Sequence, residues 1–412
     1  MRTGHLWLFS LAALVGCSPG LTQQRATTAE VAQQKVAAAA TLAALKRGEF
    51  DQADTGAGKL LESDPKNAYG HVVRAITRYK RTMHQLSTDL RTVVFGAFRA
   101  GGINHRYLRS SLEQTAEELA AVDRDLAAAD HPDLSLELCL ACWEVDWNHN
   151  GRVDRADRLL FQIERDADGK EIPEDDPRRK PTFRFDHGDV AWARAFVNFQ
   201  RGVLELALAY RWTELDRLFR MVRSDDKPTI TLRIEKPERV AAARARFLEA
   251  LDQADRCREA YLAETDDDRE WVPNPRQKSH PLPLPVDEAL YSTWRDLVRD
   301  LRELVRGREG LSVEQVAQLG DHRFESPPRG YVDIGRMLSK PRDIVIKVEL
   351  LQRLNLDKSG DVETLLRDLL GDYYVQKMTP SPITRRFVRM KKEVQRGEET
   401  LERKLRYLIW LN

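Results

Sequence analysis

A mainly α-helical protein with a small amount of strand is what this sequence predicts, and three observations predict it. Apolar residues recur at helical spacing over long stretches, at about 69–100, 105–129, 190–221, 237–264 and 288–306. A helix-start signal of the capping-box form, Thr27-x-x-Glu30, opens an alanine-rich run that continues to about Arg47. Against these stands TITLRIE at 229–235, the best strand candidate, which alternates apolar and polar residues.

Composition sets the frame for these elements. Hydrophobic residues make up 42% and charged residues 32% of the 412-residue chain, the balance of a globular protein rather than a membrane-spanning or disordered one. A chain of this length is expected to hold two or three domains, each with its own core. Lys plus Arg total 66 against 65 for Asp plus Glu, and so even a balance speaks against nucleic acid as a partner.

The first element is an address. MRTGHLWLFSLAALVGC begins with one arginine, continues with an apolar run from Leu6 to Val15 that is too short to span a bilayer, and closes on Gly16 and Cys17. Residues 1–16 thus have the layout of a secretory signal peptide. Leu14-Val15-Gly16-Cys17 resembles the lipobox of bacterial lipoproteins. That resemblance implies cleavage before Cys17, diacylation of its thiol and acylation of the new amino terminus with a fatty acid such as palmitate. Several acyl chains anchor a protein stably. Ser18, where an Asp would signal retention, implies the outer membrane with the protein facing the periplasm, and residues 17–26 become a lipidated tether.

Residues 27–130 read as a helical domain. In RGEFDQADTGAGKLLESDPKNAYG (47–70), Gly48 lets the chain turn between helices, Ala53 lets them approach, and Pro65 ends the second one. Together with Phe50 and Leu60 these residues keep the intervals of a tetratricopeptide repeat, which residues 36–69 resemble over one copy. One copy cannot bury its own face, so the patterns at 69–100 and 105–129 are expected to stack on it as degenerate repeats. Gly56-Ala57-Gly58-Lys59 imitates a phosphate loop, but Ala53 stands at the first-glycine position and Leu60 where a magnesium-holding hydroxyl belongs. It reads as helix packing.

Residues 131–172 carry the metal signal. In DWNHNGRVDRAD (146–157), Asp146, Asn148 and Asn150 alternate as the first, third and fifth members of a ligand loop, and Gly151 follows where a sharp turn is needed. Arg152 offers its carbonyl, Asp154 a water-mediated contact, and Asp157 the closing carboxylate. The pattern resembles an EF-hand loop of the dockerin-type variety, with Asp rather than Glu at its end. The resemblance implies a helix-loop-helix, with Leu134–Val145 entering and Asp154–Glu164 leaving, and Ca²⁺ bound with a dissociation constant on the order of 10⁻⁴ to 10⁻³ M. Without metal the same residues make an Asx-rich turn. Two further acidic turns, 164–175 and 355–366, break the pattern at Glu171, Pro173 and Leu366, so a single loop is expected.

Cys139-Leu140-Ala141-Cys142 lacks both the preceding strand of a redox unit and the second pair of a zinc site. It reads as two small residues in a helix, open to local oxidation. Residues 173–265 form a further helical domain, in which Asp186 or Asp189 beside His187 reads as a helix N-cap rather than part of a catalytic pair. Residues 266–287, DDDREWVPNPRQKSHPLPLPVD, make a proline-rich linker or an extended ordered loop. Residues 288–412 form a C-terminal helical domain with minor strand. From Arg385 to Arg406 nine Lys or Arg stand against four Glu on an amphipathic pattern, suited to a solvated face or an anionic surface.

No GxSxG, HExxH or complete phosphate loop is present. The sequence therefore points to a membrane-anchored envelope protein, a helical-repeat scaffold that binds an unidentified envelope protein and is stiffened by calcium. A calcium-stabilised envelope hydrolase and a calcium-dependent docking module are the competing classes. A pocket holding clustered carboxylates or a His pair away from the loop would favour the enzyme, a concave apolar groove without such groups the scaffold, and a partner lost on chelation the docking module.

Overall fold

The computed structural model of the protein describes residues 26–143, 145–146, 151–153, 157, 162–166, 170–217, 229–280, 286–317, 329–349 and 359–386. The fold is mainly α-helical with short strands. Helices α1 (Thr28–Ala37), α2 (Ala39–Lys46) and α3 (Phe50–Ser63) lead into two long ones, α4 (Ala68–Ala100) and α5 (His105–Ala129). Thr27 and Glu30 close the capping box of α1, each side chain bonding the other's amide. Gly48 turns α2 into α3 with φ at +75°. In α3, Ala53 and Ala57 are fully buried, and a Cβ on Gly56 would fall 2.5 Å from Thr41 Oγ1 of α2. Small residues are thus what lets α2 and α3 lie so close.

Asn67 caps α4 by accepting from the Gly70 amide at 2.8 Å, and Gly101 ends it in the left-handed conformation. Asn104 then caps α5. Polar nodes pin these helices in place. Asp125 of α5 takes Arg74, Arg78 and His71 of α4, and Asp123 takes Arg194, Asn198 and Arg201 of α6 (His187–Ala209). One buried cluster runs from Val31 to Leu208, so α6 shares a core with α1 to α5.

Helix α7 (Pro237–Ala263) lies along α6. A Cβ at Gly202 would meet the Phe247 ring at 2.5 Å, so glycine permits that contact. Helix α8 (Glu288–Arg306) packs on α7, with Arg302 reaching Asp252 at 2.9 Å. Strands β1 (Leu136–Leu138) and β2 (Phe183–Phe185) pair antiparallel, Leu136 opposite Phe185. The alternating stretch near 229 forms β4 (Thr229–Ile234), the central strand between β3 (Tyr210–Arg211) and β7 (Ile344–Lys347). A third small sheet joins β5 (Leu311–Ser312), β6 (Tyr331–Val332) and β8 (Tyr374–Val375).

One expected helix is absent. Leu134–Val145 is β1 followed by a 3₁₀ turn at Leu140–Cys142, not a helix entering the loop. Leu136 and Leu138 point inward and Glu137 outward, and cross-strand pairing with β2 exploits that alternation better than a helix would. Cys139 and Cys142 form a disulfide across the turn. Asp157 is helical, whereas 162–164 has no regular structure, so no helix runs on to Glu164. Residues 266–280 form an ordered loop that buries Trp271, Val272 and Asn274, while PLPLP at 281–285 and the basic stretch from 387 lie outside the described residues.

Candidate functional site

Three regions carry chemistry or an unusual surface. In the loop at 146–157, the Gly151 amide donates to Asp146 Oδ2 at 2.7 Å, closing the turn from its first to its sixth residue. Gly151 sits at φ +90° with open space where a Cβ would be, so conformation rather than crowding calls for glycine there. Asp157 is buried and Arg152 exposed. Asn148, Asn150 and Asp154 lie outside the described residues, as does Cys17. The Asp146 to Gly151 closure is one that a cation loop and a metal-free Asx turn share.

The second region is buried carboxylate, and it forms where β2, the start of α6, the end of α7 and the 266–280 loop converge. Asp186 caps α6 by accepting from the Gly188 amide at 2.7 Å, and Asp189 Oδ2 in turn accepts from the Asp186 amide at 2.8 Å. The capping reading of the residues around His187 therefore holds. Yet both aspartates do more than cap. Asp189 Oδ1 also accepts the Tyr261 hydroxyl at 2.6 Å, and a Cβ on Gly188 would come within 2.8 Å of the Tyr261 ring, so glycine lets α7 approach this helix start.

Glu264 follows the end of α7, where Asn274 donates to the carbonyls of Tyr261 and Glu264 and holds the chain in place. Glu270 is brought in by a parallel bridge between its backbone and Arg184 of β2. Carboxylate oxygens of Asp186, Glu264 and Glu270 lie within 4.8 Å of one another. Asp186, Asp189 and Glu270 are only 4%, 6% and 1% exposed. Arg184 faces the outer side, paired with Asp266, Asp268 and, at 3.2 Å, Glu270 Oε1. Glu270 Oε2 and Glu264 Oε1 are shut off from solvent and accept no hydrogen bond.

The electrostatics follow from that crowding. Burial, a hydrogen bond with Asp268 and the charges of Asp186 and Asp189 push the Glu270 carboxyl up to about 9. Burial and the neighbouring Asp186 and Glu270 raise Glu264 as well. Asp189 is raised by burial and by Asp186, against the opposing bond from Tyr261. Sequence reading misses Glu264 and Glu270. The signal that points to them is the acidic run ETDDDRE, which looks like a solvated linker until Trp271 is seen to bury its end.

The third region is the far half of α4. Helix α3 runs back alongside the first half, its start marked by Phe50 under Lys80, 4.2 Å from ring to ammonium, and by Asp54 accepting from Thr77 at 2.8 Å. Beyond that point α5 covers one side through Val93 and Ala97, but Leu90, Val94, Phe95 and Phe98 remain 39%, 47%, 60% and 62% exposed. Between Leu90 and Arg109 the chain carries four arginines and no carboxylate. Nearby, a cavity of about 210 Å³ with mainly apolar walls opens between the start of α5 and the end of α6, lined by Leu108, Leu112, Leu208 and Trp212 among others. No protein-family model, curated protein or solved structure matches this chain.

Proposed function

We propose that the protein is a lipid-anchored helical scaffold of the cell envelope, tethered through Cys17 to the outer membrane and facing the periplasm. In this reading it docks another envelope protein on the exposed apolar face of the far half of α4. The observation that carries it is the exposed apolar stripe Leu90, Val94, Phe95 and Phe98, since a soluble surface rarely leaves such residues contiguous unless something binds there. In a helical solenoid this is where the next repeat would stack, and the tetratricopeptide resemblance of 36–69 makes α3 the last layer before the gap. The partner is a protein whose apolar residues are rimmed by carboxylates, because the exposed Arg99 and Arg106 stand at the end of the stripe and no Asp or Glu lies between Leu90 and Arg109.

The geometry favours a protein over the lipid surface. Ala26, next to the tether, lies at the base of the α4–α5 hairpin, where His131 Nε2 meets its carbonyl at 2.7 Å. The other end of the 33-residue α4 is about 50 Å away. A weakly bound Ca²⁺ at Asp146, Asn148, Asn150, Arg152, Asp154 and Asp157 belongs to this reading as a local staple. The hydrolase reading gains little from the carboxylate cluster, because groups so deeply buried are out of reach of a polymer substrate.

A photo-crosslinker at position 95 in growing cells tests the proposal. We expect a discrete protein adduct, lost in the Phe98→Glu background and weakened by Arg99→Glu with Arg106→Glu. Adducts to lipid alone would put the membrane in the partner's place, and no adduct would withdraw the reading.

A further inference from the structure

We propose that a calcium ion, separate from any bound by the 146–157 loop, sits between Asp186, Glu264 and Glu270 and ties the start of α6, the end of α7 and the 266–280 loop together. The spacing suits it. Two oxygens each about 2.4 Å from one calcium ion are at most about 4.8 Å apart, and the three carboxylates bring oxygens within 4.8 Å of one another.

The independent sign of a ligand is the state of the oxygens themselves. Glu270 is 1% exposed, yet its Oε2 accepts no hydrogen bond, and neither does Glu264 Oε1 beside it. A buried carboxylate oxygen without a donor is strongly disfavoured, and native interiors supply a partner. The donors nearest these two oxygens are committed elsewhere, Arg184 to Asp266, Asp268 and Glu270 Oε1, Gln277 to Glu264 Oε2, and the Gly188 amide to Asp186 Oδ1, while His187 Nδ1, buried and without a hydrogen bond, stands 4.0 Å from Asp186 Oδ1, beyond hydrogen-bond reach. The donor set contains oxygen only, with neither imidazole nor thiolate, which selects a hard cation over zinc or copper. Calcium tolerates irregular carboxylate sets, whereas magnesium holds to a small octahedron and its waters.

The test uses the purified full chain in detergent after exhaustive chelation. Calcium binding is counted in the wild type, in Asp146→Ala with Asp157→Ala, and in Glu264→Gln with Glu270→Gln. The loop variant should keep one equivalent, and the Gln pair should lose that equivalent or bind it more than about a hundredfold more weakly. In chelator the Gln pair should unfold at the same temperature as the wild type or higher, because neutral amides relieve the crowding of acids. Equal calcium stoichiometry in the Gln pair and the wild type would overturn the proposal. If the Gln pair does not fold, terbium added to the loop variant decides instead: tryptophan-sensitised emission that calcium displaces supports the site, and its absence means the cluster holds protons.

Discussion

Asp125 and the Asp186–Glu264–Glu270 group are both buried, and the protein treats their charge in opposite ways. Asp125 faces Arg74, Arg78 and His71, all from α4. Burial alone would push its carboxyl up, but the hydrogen bonds from His71 and Arg74 and the charge of Arg78 prevail and hold it below the ordinary carboxylate range. Glu270 and Glu264 face other acids, and their carboxyls are raised. A buried acid surrounded by cations is complete within the chain. One surrounded by acids is completed by something the chain does not supply, a cation or a proton.

The largest expected effect follows directly. Asp125→Asn strands two arginines against a helix face and should cost about 3 kcal/mol at pH 7, as breaking a buried ion pair does. Glu270→Gln in chelator should cost no more than about 1 kcal/mol, because a carboxyl raised to about 9 holds a proton at pH 7 and the amide is its neutral isostere. Urea denaturation of both variants reads the contrast, and equal losses would break it.

The sign of the pH dependence sharpens the same contrast. Because the folded carboxyl of Asp125 titrates below its ordinary value of 3.8, its stabilisation is present above that value and is lost as pH falls through the lower, folded one. The stability gap between wild type and Asp125→Asn should therefore be full at pH 7 and shrink only below about pH 4. A gap that shrinks already between pH 7 and pH 5 would mean that the Asp125 carboxylate does not carry the node's charge.

How much of this was legible follows from where the residues sit along the chain. The helices are legible because their signals are local: Thr27 with Glu30, Asn67, Asn104 and Gly101 cap or end helices through bonds to near neighbours. Leu134–Val145 misleads because its fate depends on β2, a partner far along the sequence. The EF-hand-like loop is conspicuous because its candidate ligands are contiguous. The carboxylate cluster is silent because Asp186 and Glu264 are separated by two long helices, and only the packing of α7 on α6 brings them together. Asp186 and Asp189 announce themselves as caps, which is true and conceals the rest.

A smaller effect is expected where the apolar face of α4 is most exposed. Phe95→Ala with Phe98→Ala removes little buried area and should change stability by less than about 0.5 kcal/mol, as surface substitutions do. Should it destabilise by more than about 2 kcal/mol, as core truncation does, the stripe would be covered by this chain itself. Deleting residues 387–412 would then identify the cover.

A further small effect, and the one that places the exposed loop beside the two buried centres, is expected at Asp146 without metal. Its Oδ2 accepts one bond from the Gly151 amide, at a position where that glycine is open to solvent. Water can replace that bond, so Asp146→Ala in chelator should cost about 1 kcal/mol or less. In calcium the arithmetic changes, since at about ten millimolar a ligand with a dissociation constant on the order of 10⁻⁴ to 10⁻³ M stabilises the folded form by roughly 1.4 to 2.7 kcal/mol, and Asp146→Ala forfeits the loop's share. Thermal unfolding of both proteins, in millimolar calcium and in chelator, gives the four values needed. An acid whose loss matters only when calcium is present is a ligand, one whose loss matters always is a structural charge like Asp125, and a cost equal in both media would make the 146–157 loop an Asx turn.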